Sequence, residues 1–267
     1  MINIIVCIKL VNDPEAPPSS FQIDATNNAV LLPPGVSQVI STFDEFALEA
    51  ALQTREKEGG KITALSLGSN IQRDIIKKPL SMGADELVLL DDPAFTDGDS
   101  WSTAYALALA IKKIERFDLI LCGRQAADWD SGQVGSGIAE LLGLPCVNIS
   151  RKIEISGAKA IIERVINDGY ETIEMDLPGV ITVSNEHPTP RYPNINGIMK
   201  AKGKEPLVWK PSDIGADMAK IGANGRRSKL IRLFQQPRNT KCEIITGDTP
   251  ENAAVKLADR LREAKVI

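Results

Sequence analysis

Two hydrophobic periods alternate along the first 150 residues. Residues 2–8, 62–67, 86–90 and 119–122 are short, nearly continuous apolar runs, the pattern of strands covered on both faces. Helical spacing separates them. Residues 43–57 (FDEFALEAALQTREK) bring Phe43, Phe46, Ala47, Ala50 and Ala51 to one face and stop at Gly59-Gly60. Residues 70–82 predict a second helix, closed by Gly83. Residues 99–115 predict a third, with Asp99 as N-cap and Ala104, Leu107, Ala108, Ile111 and Ile114 on its buried face. A fourth, over 134–142, leads into LPCVNIS (144–150), read as a fifth strand.

This alternation predicts an α/β fold, a doubly wound and mostly parallel sheet, whose ligands sit beyond the carboxyl ends of the strands. The period changes after Ser150. Residues 151–184 alternate apolar and polar positions, with turn signals at Ser156-Gly157 and Asn167-Asp168-Gly169, and read as an antiparallel meander. Residues 185–206 (NEHPTPRYPNINGIMKAKGKEP) are too rich in Pro, Asn and Gly for core and read as a long exposed loop. The polar tail from Pro211 ends in a closing helix announced by Thr249 and Asn252.

Composition narrows the function. Of 267 residues 43% are hydrophobic, enough for one large core. A formal net charge of -4 argues against a nucleic-acid partner. No apolar run approaches the roughly 20 residues that cross a bilayer, and the N-terminus has no targeting pattern, so a cytoplasmic protein without membrane insertion is expected. The four cysteines, Cys7, Cys122, Cys146 and Cys242, form no C-x-x-C pair and read as reduced; three of them lie in strand-like runs as small buried hydrophobes.

Several chemistries are absent. There is no G-x-x-x-x-G-K-[ST] cradle, the first strand is not followed by a glycine-rich turn, and the single histidine, His187, lies in the Pro-rich loop without a metal or triad constellation. The best candidate is the loop CGRQAADWDSGQVGSGIAELLGLP (122–145). There Ser131, Gly132, Gln133 and Val134 would offer backbone N–H groups at a helix start, the setting in which phosphate binds. Gly132, Gly135 and Gly137 would admit a ligand close to the backbone, and Asp128 and Asp130 would cap the helix or meet ribose hydroxyls. Spacing alone fits equally an ordinary capped helix. The turn at 91–103 (DDPAFTDGDSWST) is a second, weaker site of this kind. No acid, base and nucleophile set is visible, which favours a binding module over a stand-alone enzyme. A lone nucleotide sensor of the stress-response type remains a competing reading. An adenylate-forming enzyme or a pyrophosphatase would need a Ser-Gly-Gly-type loop after the first strand, which is missing.

The sequence resembles the β subunit of electron transfer flavoproteins over nearly its whole length. INIIVCIKLV, SMGADELVLLDDPAF, GRQAADWDSGQVG, the meander with Arg164, Gly169, Glu171 and Pro178, and PRYPNINGIMKAKGK carry the resemblance in order. It implies an adenine nucleotide α hydrolase-like fold, with a nucleotide-binding domain over 1–185 including the meander at 150–183. It also implies a partner recognition loop at 186–210 and a C-terminal extension at 211–267 that wraps an α subunit. By resemblance, the two chains share a redox-active FAD, and the β site holds AMP or, in electron-bifurcating members that oxidise NADH, a second FAD. The implied cofactor-binding set is Cys7, Ser41, Phe43 (at the flavin edge), Leu67, Gly123, Gln125, Asp128, Asp130, Ser131, Gly132, Gln133 and Val134.

The loop matches neither branch fully. Val134 after Gln133 and the GDSWST stretch at 98–103 resemble two-flavin members, in which Thr stands at the position of Ser131; single-flavin members carry Asn and Thr at the positions of Gly132 and Val134. Trp129 departs from both patterns, as an aromatic that stacks on a base or covers the loop. The implied partner-binding set is His187, Pro190, Arg191, Tyr192, Ile198, Met199 and Lys200. In it His187 replaces the family's apolar anchor, and Arg191, Lys200, Lys202 and Lys204 steer an acidic partner. The partners so implied are a flavin dehydrogenase, acyl-CoA dehydrogenase among them, and an acceptor such as a quinone oxidoreductase.

Overall fold

The computed structural model describes residues 1–17, 21–31, 35–114, 116–235 and 242–267. In chain order the elements begin with β1 (Ile2–Ile8), β2 (Leu10–Asn12), β3 (Gln22–Asp24), β4 (Ala29–Leu31), β5 (Gln38–Ile40), α1 (Thr42–Glu58) and β6 (Gly60–Gly68). There follow α2 (Arg73–Ile76), α3 (Lys78–Met82), β7 (Glu86–Asp91), α4 (Ser100–Ile114), β8 (Leu119–Gly123) and α5 (Val134–Leu142). The chain then forms β9 (Cys146–Ser156), β10 (Lys159–Ile166), β11 (Gly169–Asp176), β12 (Gly179–Val183), α6 (Ile195–Lys202), β13 (Leu207–Trp209), α7 (Gly222–Gly225) and α8 (Pro250–Glu263).

One mixed sheet organises the molecule, in the order β11-β10-β9-β12-β8-β1-β6-β7-β13. Only the β9–β10 and β10–β11 pairings are antiparallel; every other pairing in this sheet is parallel. β1 sits inside the sheet and feeds two core layers by the period-2 rule. Ile2, Ile4, Val6 and Ile8 join Leu48, Ala51 and Leu52 of α1 in one layer. Ile5 and Cys7 join Leu107 and Ile111 of α4 and Ile138 of α5 in the other. Leu48 and Leu52 are fully buried, and each contributes about 1.5–3 kcal/mol by leaving water.

The structure departs from the sequence pattern in four places. The helix expected over 70–82 is two short helices, because Pro79 offers no N–H and forces a restart near Lys78. The strand expected at 144–150 runs on without a break into the meander as the eleven-residue β9, pairing parallel with β12 and antiparallel with β10. The end of the expected meander is not antiparallel: β12 enters between β8 and β9 as a parallel strand. All five of its residues are buried, which requires cover on both faces. The loop expected at 185–206 contains α6, whose start is capped where Asn194 Oδ1 accepts the Gly197 N–H at 2.7 Å.

The third helix ends, as described, at Ile114; Glu115, its expected last residue, lies outside the described residues. At α8 the Thr249 hydroxyl accepts the Asn252 N–H as expected, but no residue of that helix is buried, so it does not close onto this chain. Beyond residue 206 the chain still builds the sheet edge, and Ile214 and Ile221 are buried in the second layer. Among the described residues no helix is long and apolar enough to cross a membrane.

The glycines of α5 are packing residues. A Cβ at Gly135 would stand 2.6 Å from Thr182 Cγ2, and one at Gly137 would stand 2.9 Å from Ala104 Cβ. They let α5 lie against β12 and α4, which corrects their reading as points of ligand approach. Gly135→Ala is therefore expected to destabilise the chain by about 1–3 kcal/mol through overpacking. Adding Thr182→Ser, which removes the obstructing methyl and keeps the hydroxyl that accepts the Ile149 N–H, should recover part of the loss. Denaturant midpoints of the two single variants and the double variant check this; additive losses would contradict it.

Candidate functional site

The order of strands reverses beside β1: β6 follows it on one side and β8 lies on the other. The crevice beyond the carboxyl ends of β1 and β8 is the topological switch point, where a doubly wound sheet receives its ligand. The N-terminus of α1 crosses this crevice. Asp44 Oδ2 accepts the Lys9 N–H at 2.8 Å and Asp44 Oδ1 accepts the Gly123 N–H at 3.1 Å, so one carboxylate joins the ends of both strands. Gly123 is required by this approach, since a Cβ there would lie 2.5 Å from Asp44 Oδ1 and 2.7 Å from the Phe43 carbonyl carbon. Burial pushes the Asp44 carboxyl up to about 7, against the opposing pull of those two N–H groups and of Lys9.

Ser41 is also buried. Its N–H donates to the Lys9 carbonyl at 2.9 Å, and its hydroxyl oxygen accepts the Ala127 N–H at 3.2 Å, tying the loop after β8 to the start of α1. Lys9 Nζ donates to both carboxylate oxygens of Asp128, at 2.8 and 2.7 Å. Asp130, at φ 50°, accepts the Gln125 side-chain N–H at 2.8 Å, while its own N–H closes a turn on the Ala126 carbonyl at 3.0 Å. Phe43 is half-buried under the Arg124 guanidinium, 5.0 Å from its ring centroid. Cys7 is buried beneath the crevice, and Leu67 is half-buried at the end of β6. A hydrogen bond with Cys7, reinforced by burial, holds the neighbouring Cys122 thiol well above its usual range.

Two helices begin beside this loop, and a side chain caps only one of the two starts. At α4, Asp99 Oδ1 accepts the Ser102 N–H at 3.0 Å, as the N-cap reading expects. Asp99 Oδ2 is filled by the N–H of Arg227, the N–H of Ser228 and the Ser228 hydroxyl. Burial raises this carboxyl, but the N–H bonds from Ser102, Ser228 and Arg227 outweigh it and hold its pKa at about 2. At α5, Gln133 occupies the N-cap and no side chain caps the helix. Asp128 and Asp130 are committed to Lys9 and Gln125, which overturns their reading as caps. The start of α5 thus presents backbone donors beside Ser131, whose hydroxyl accepts from Ser100 at 3.0 Å, and Gly132, in the left-handed region at φ 62°. The nearby carboxylate of Asp128 is offset by the Lys9 ammonium group, while that of Asp130 is met by the neutral Gln125 amide.

The expected recognition loop divides into inward and outward residues. His187 is 7% exposed and its Nδ1 has no hydrogen-bond partner among the described residues. It faces the protein interior, contrary to its reading as an anchor for a partner; burial lowers its pKa. Arg191 is likewise engaged within the chain. Its backbone N–H and guanidinium hold Glu49 of α1 at 2.9–3.3 Å, and it also pairs with Glu56. Two carboxylates on α1 satisfy it, which corrects its reading as a steering cation. Lys204 Nζ donates to the Asp85 carbonyl at 2.8 Å. Lys200 and Lys202 are exposed, Pro190 is half-buried, and Tyr192, Ile198 and Met199 point outward.

Sequence reasoning missed Lys9, Asp44, Glu49 and Arg124. The signal for Glu49 was present: a lone carboxylate inside the apolar run ALEAAL has to find a buried partner. It also missed Ile195, which is 79% exposed.

Comparison with known proteins bears on this geometry. A model of the electron transfer flavoprotein domain matches residues 29–214. The chain is 40% identical over 267 residues to the electron transfer flavoprotein subunit beta of Thermoanaerobacterium thermosaccharolyticum, covering all of both chains. It is 37% identical over 267 residues to the caffeyl-CoA reductase-Etf complex subunit CarD of Acetobacterium woodii, again covering all of both. It is 36% identical over 275 aligned positions, with full coverage of both, to the electron transfer flavoprotein subunit beta of Megasphaera elsdenii.

Two outcomes are expected from this geometry. The folded chain holds the Asp44 proton to higher pH than the unfolded chain does, so this group withdraws stability as pH rises from about 4 to about 7. Asp44→Asn removes that titration. Thermal unfolding at stepped pH should show the variant gaining on the wild type through this window and levelling above it; a difference that is flat with pH would refute the assignment. Arg191→Ala leaves Glu49 buried without its cation, and with Arg191 partly exposed the cost should be about 1–3 kcal/mol. Limited proteolysis should then cut between residues 186 and 194 faster than in the wild type.

Proposed function

Because this chain belongs to the electron transfer flavoprotein family, we propose that it acts as the β subunit of a heterodimeric electron carrier, shuttling electrons between flavin-dependent dehydrogenases and a respiratory or other acceptor. The observation that carries this reading is the uncapped start of α5 at the switch point, beside a loop locked to both strand ends. The family implies flavin-associated electron transfer. When bound, the FAD shared with an α subunit supplies one- and two-electron redox chemistry.

The chain's own part is to bind, wall and tune. Phe43, set by the Asp44 clamp, offers an aromatic wall to the flavin edge, and the Arg124 guanidinium over its ring adds positive charge there. Ser131, Gly132, Gln133 and Val134 present backbone donors to the phosphate of an adenine nucleotide, AMP or a second FAD. Cys7 and Leu67 line the floor, and Ser41, Gly123, Gln125, Asp128 and Asp130 hold the frame. The exposed side chains of Tyr192, Ile195, Ile198 and Met199, with Lys200 beside them, offer the docking face for a dehydrogenase, acyl-CoA dehydrogenase being one candidate. A quinone oxidoreductase is a fitting acceptor. Of the segment at 211–267, Ile214 and Ile221 pack in this chain's own core, and α8 is the part that reaches to the α subunit, which would cover its exposed Val255 and Leu257. The carrier so described is cytoplasmic.

The similarity to a subunit of a caffeyl-CoA reductase-Etf complex favours a second reading, in which the β site holds FAD and NADH is the electron source. The two readings separate by content. The single-flavin carrier is expected to release one FAD and one AMP per heterodimer on denaturation, and the two-flavin form two FAD and no AMP. Chromatography of the released nucleotides decides. A purified complex that releases neither would overturn the carrier assignment.

A further inference from the structure

Among the described residues, Trp129 is the one large side chain at this site whose use is not accounted for. The chain has three tryptophans. Trp101 is covered by the Arg227 guanidinium at 3.4 Å from its centroid, and Trp209 by Lys113 Nζ at 4.9 Å. Trp129 is 60% exposed, and among the described residues no cation lies over its ring.

Its backbone is nevertheless fixed on both sides. The Trp129 N–H donates to Asp128 Oδ1 at 2.9 Å, and Asp128 is held by Lys9. On the other side Asp130 closes its turn on Ala126 and accepts from Gln125. A wet indole costs hydrophobic free energy, and holding its backbone still adds an entropic cost. Both costs become a gain when a flat ring covers the indole, because the ordering has already been done before binding.

The position names that ring. Trp129 lies on the turn beyond β8, and three residues further on Gly132 opens the donors at the start of α5. Three residues of chain span at most about 10 Å, so an aromatic platform and an anion subsite stand within the length of one nucleotide. We infer that Trp129 is the stacking platform for the adenine ring of the bound nucleotide, with the phosphate at the Ser131–Val134 donors. Stacking of this kind accepts any base by its π-face, so Trp129 sets affinity for the ring more than choice among purines.

This inference rests on the nucleotide reading of the preceding subsection, and the test separates the two. The complex of the full chain with its α subunit, stripped of nucleotide, is titrated calorimetrically with AMP and with ribose 5-phosphate, which keeps the phosphate and lacks the base. Trp129→Ala should weaken AMP about tenfold or more and leave ribose 5-phosphate unchanged, while Trp129→Phe should recover most of the AMP affinity. If the wild type binds AMP and Trp129→Ala binds it equally well, the platform role is wrong and the nucleotide reading stands. Unchanged AMP affinity together with looser association with the α subunit would make Trp129 an interface residue instead. Equal losses for AMP and ribose 5-phosphate would also refute stacking. A wild-type complex that binds neither AMP nor FAD would overturn both readings.

Discussion

A single buried carboxylate ties together the carboxyl ends of the two central strands. Asp44 lies where two parallel strands stop, and each leaves a backbone N–H facing the crevice; its two oxygens take one N–H each. Unsatisfied, those donors would each cost about 1–3 kcal/mol of desolvation. The arrangement fixes several things together. Gly123 has to be glycine to let the carboxylate pass, and α1 has to begin at Thr42, which sets Phe43 in its first turn. The loop after β8 then inherits its position from Ser41, one residue before the helix.

The charges around the crevice follow a consistent logic. Asp128 and Asp130 sit on the loop for which an anionic ligand is proposed, and free carboxylates there would oppose such a ligand. Lys9 and the Gln125 amide engage them, and Asp99 is consumed by the root of the C-terminal arm. What remains unspent is the positive end of α5. Under the proposed function, the site would accept an anion because Lys9 offsets Asp128 and the remaining carboxylates are already hydrogen-bonded.

Much of the fold was legible because the parallel core writes a plain signal. Ile2–Ile8 was read to the residue, and Asp99 and Thr249 were recognisable caps because their partners lie three residues away. Long-range pairing was not legible. β12 looks like the end of a meander until its depth in the sheet is known, and Pro79 splits a helix that periodicity alone joins. The loop of the candidate site could be located because Gly and Ser punctuate it. The clamp that positions it could not, since Asp44 reaches a donor 79 residues away and nothing local marks that contact. Arg191 misled for the same reason: a cation in an exposed-looking Pro-rich segment reads as free until Glu49, 142 residues distant, is seen beneath it.

That ion pair has a mechanical meaning. α1 carries Phe43 at its first turn, and at Glu49 and Glu56 it grips the segment that displays Tyr192. Under the proposed function, cofactor wall and docking surface are therefore mounted on one rigid rod. A redox protein resting on that surface would meet the prosthetic group at a gap set by the length of a helix, and tunnelling rates fall steeply as such a gap widens. Thermal jitter of a loop would smear that distance; clamping the loop to the rod keeps it constant from one encounter to the next.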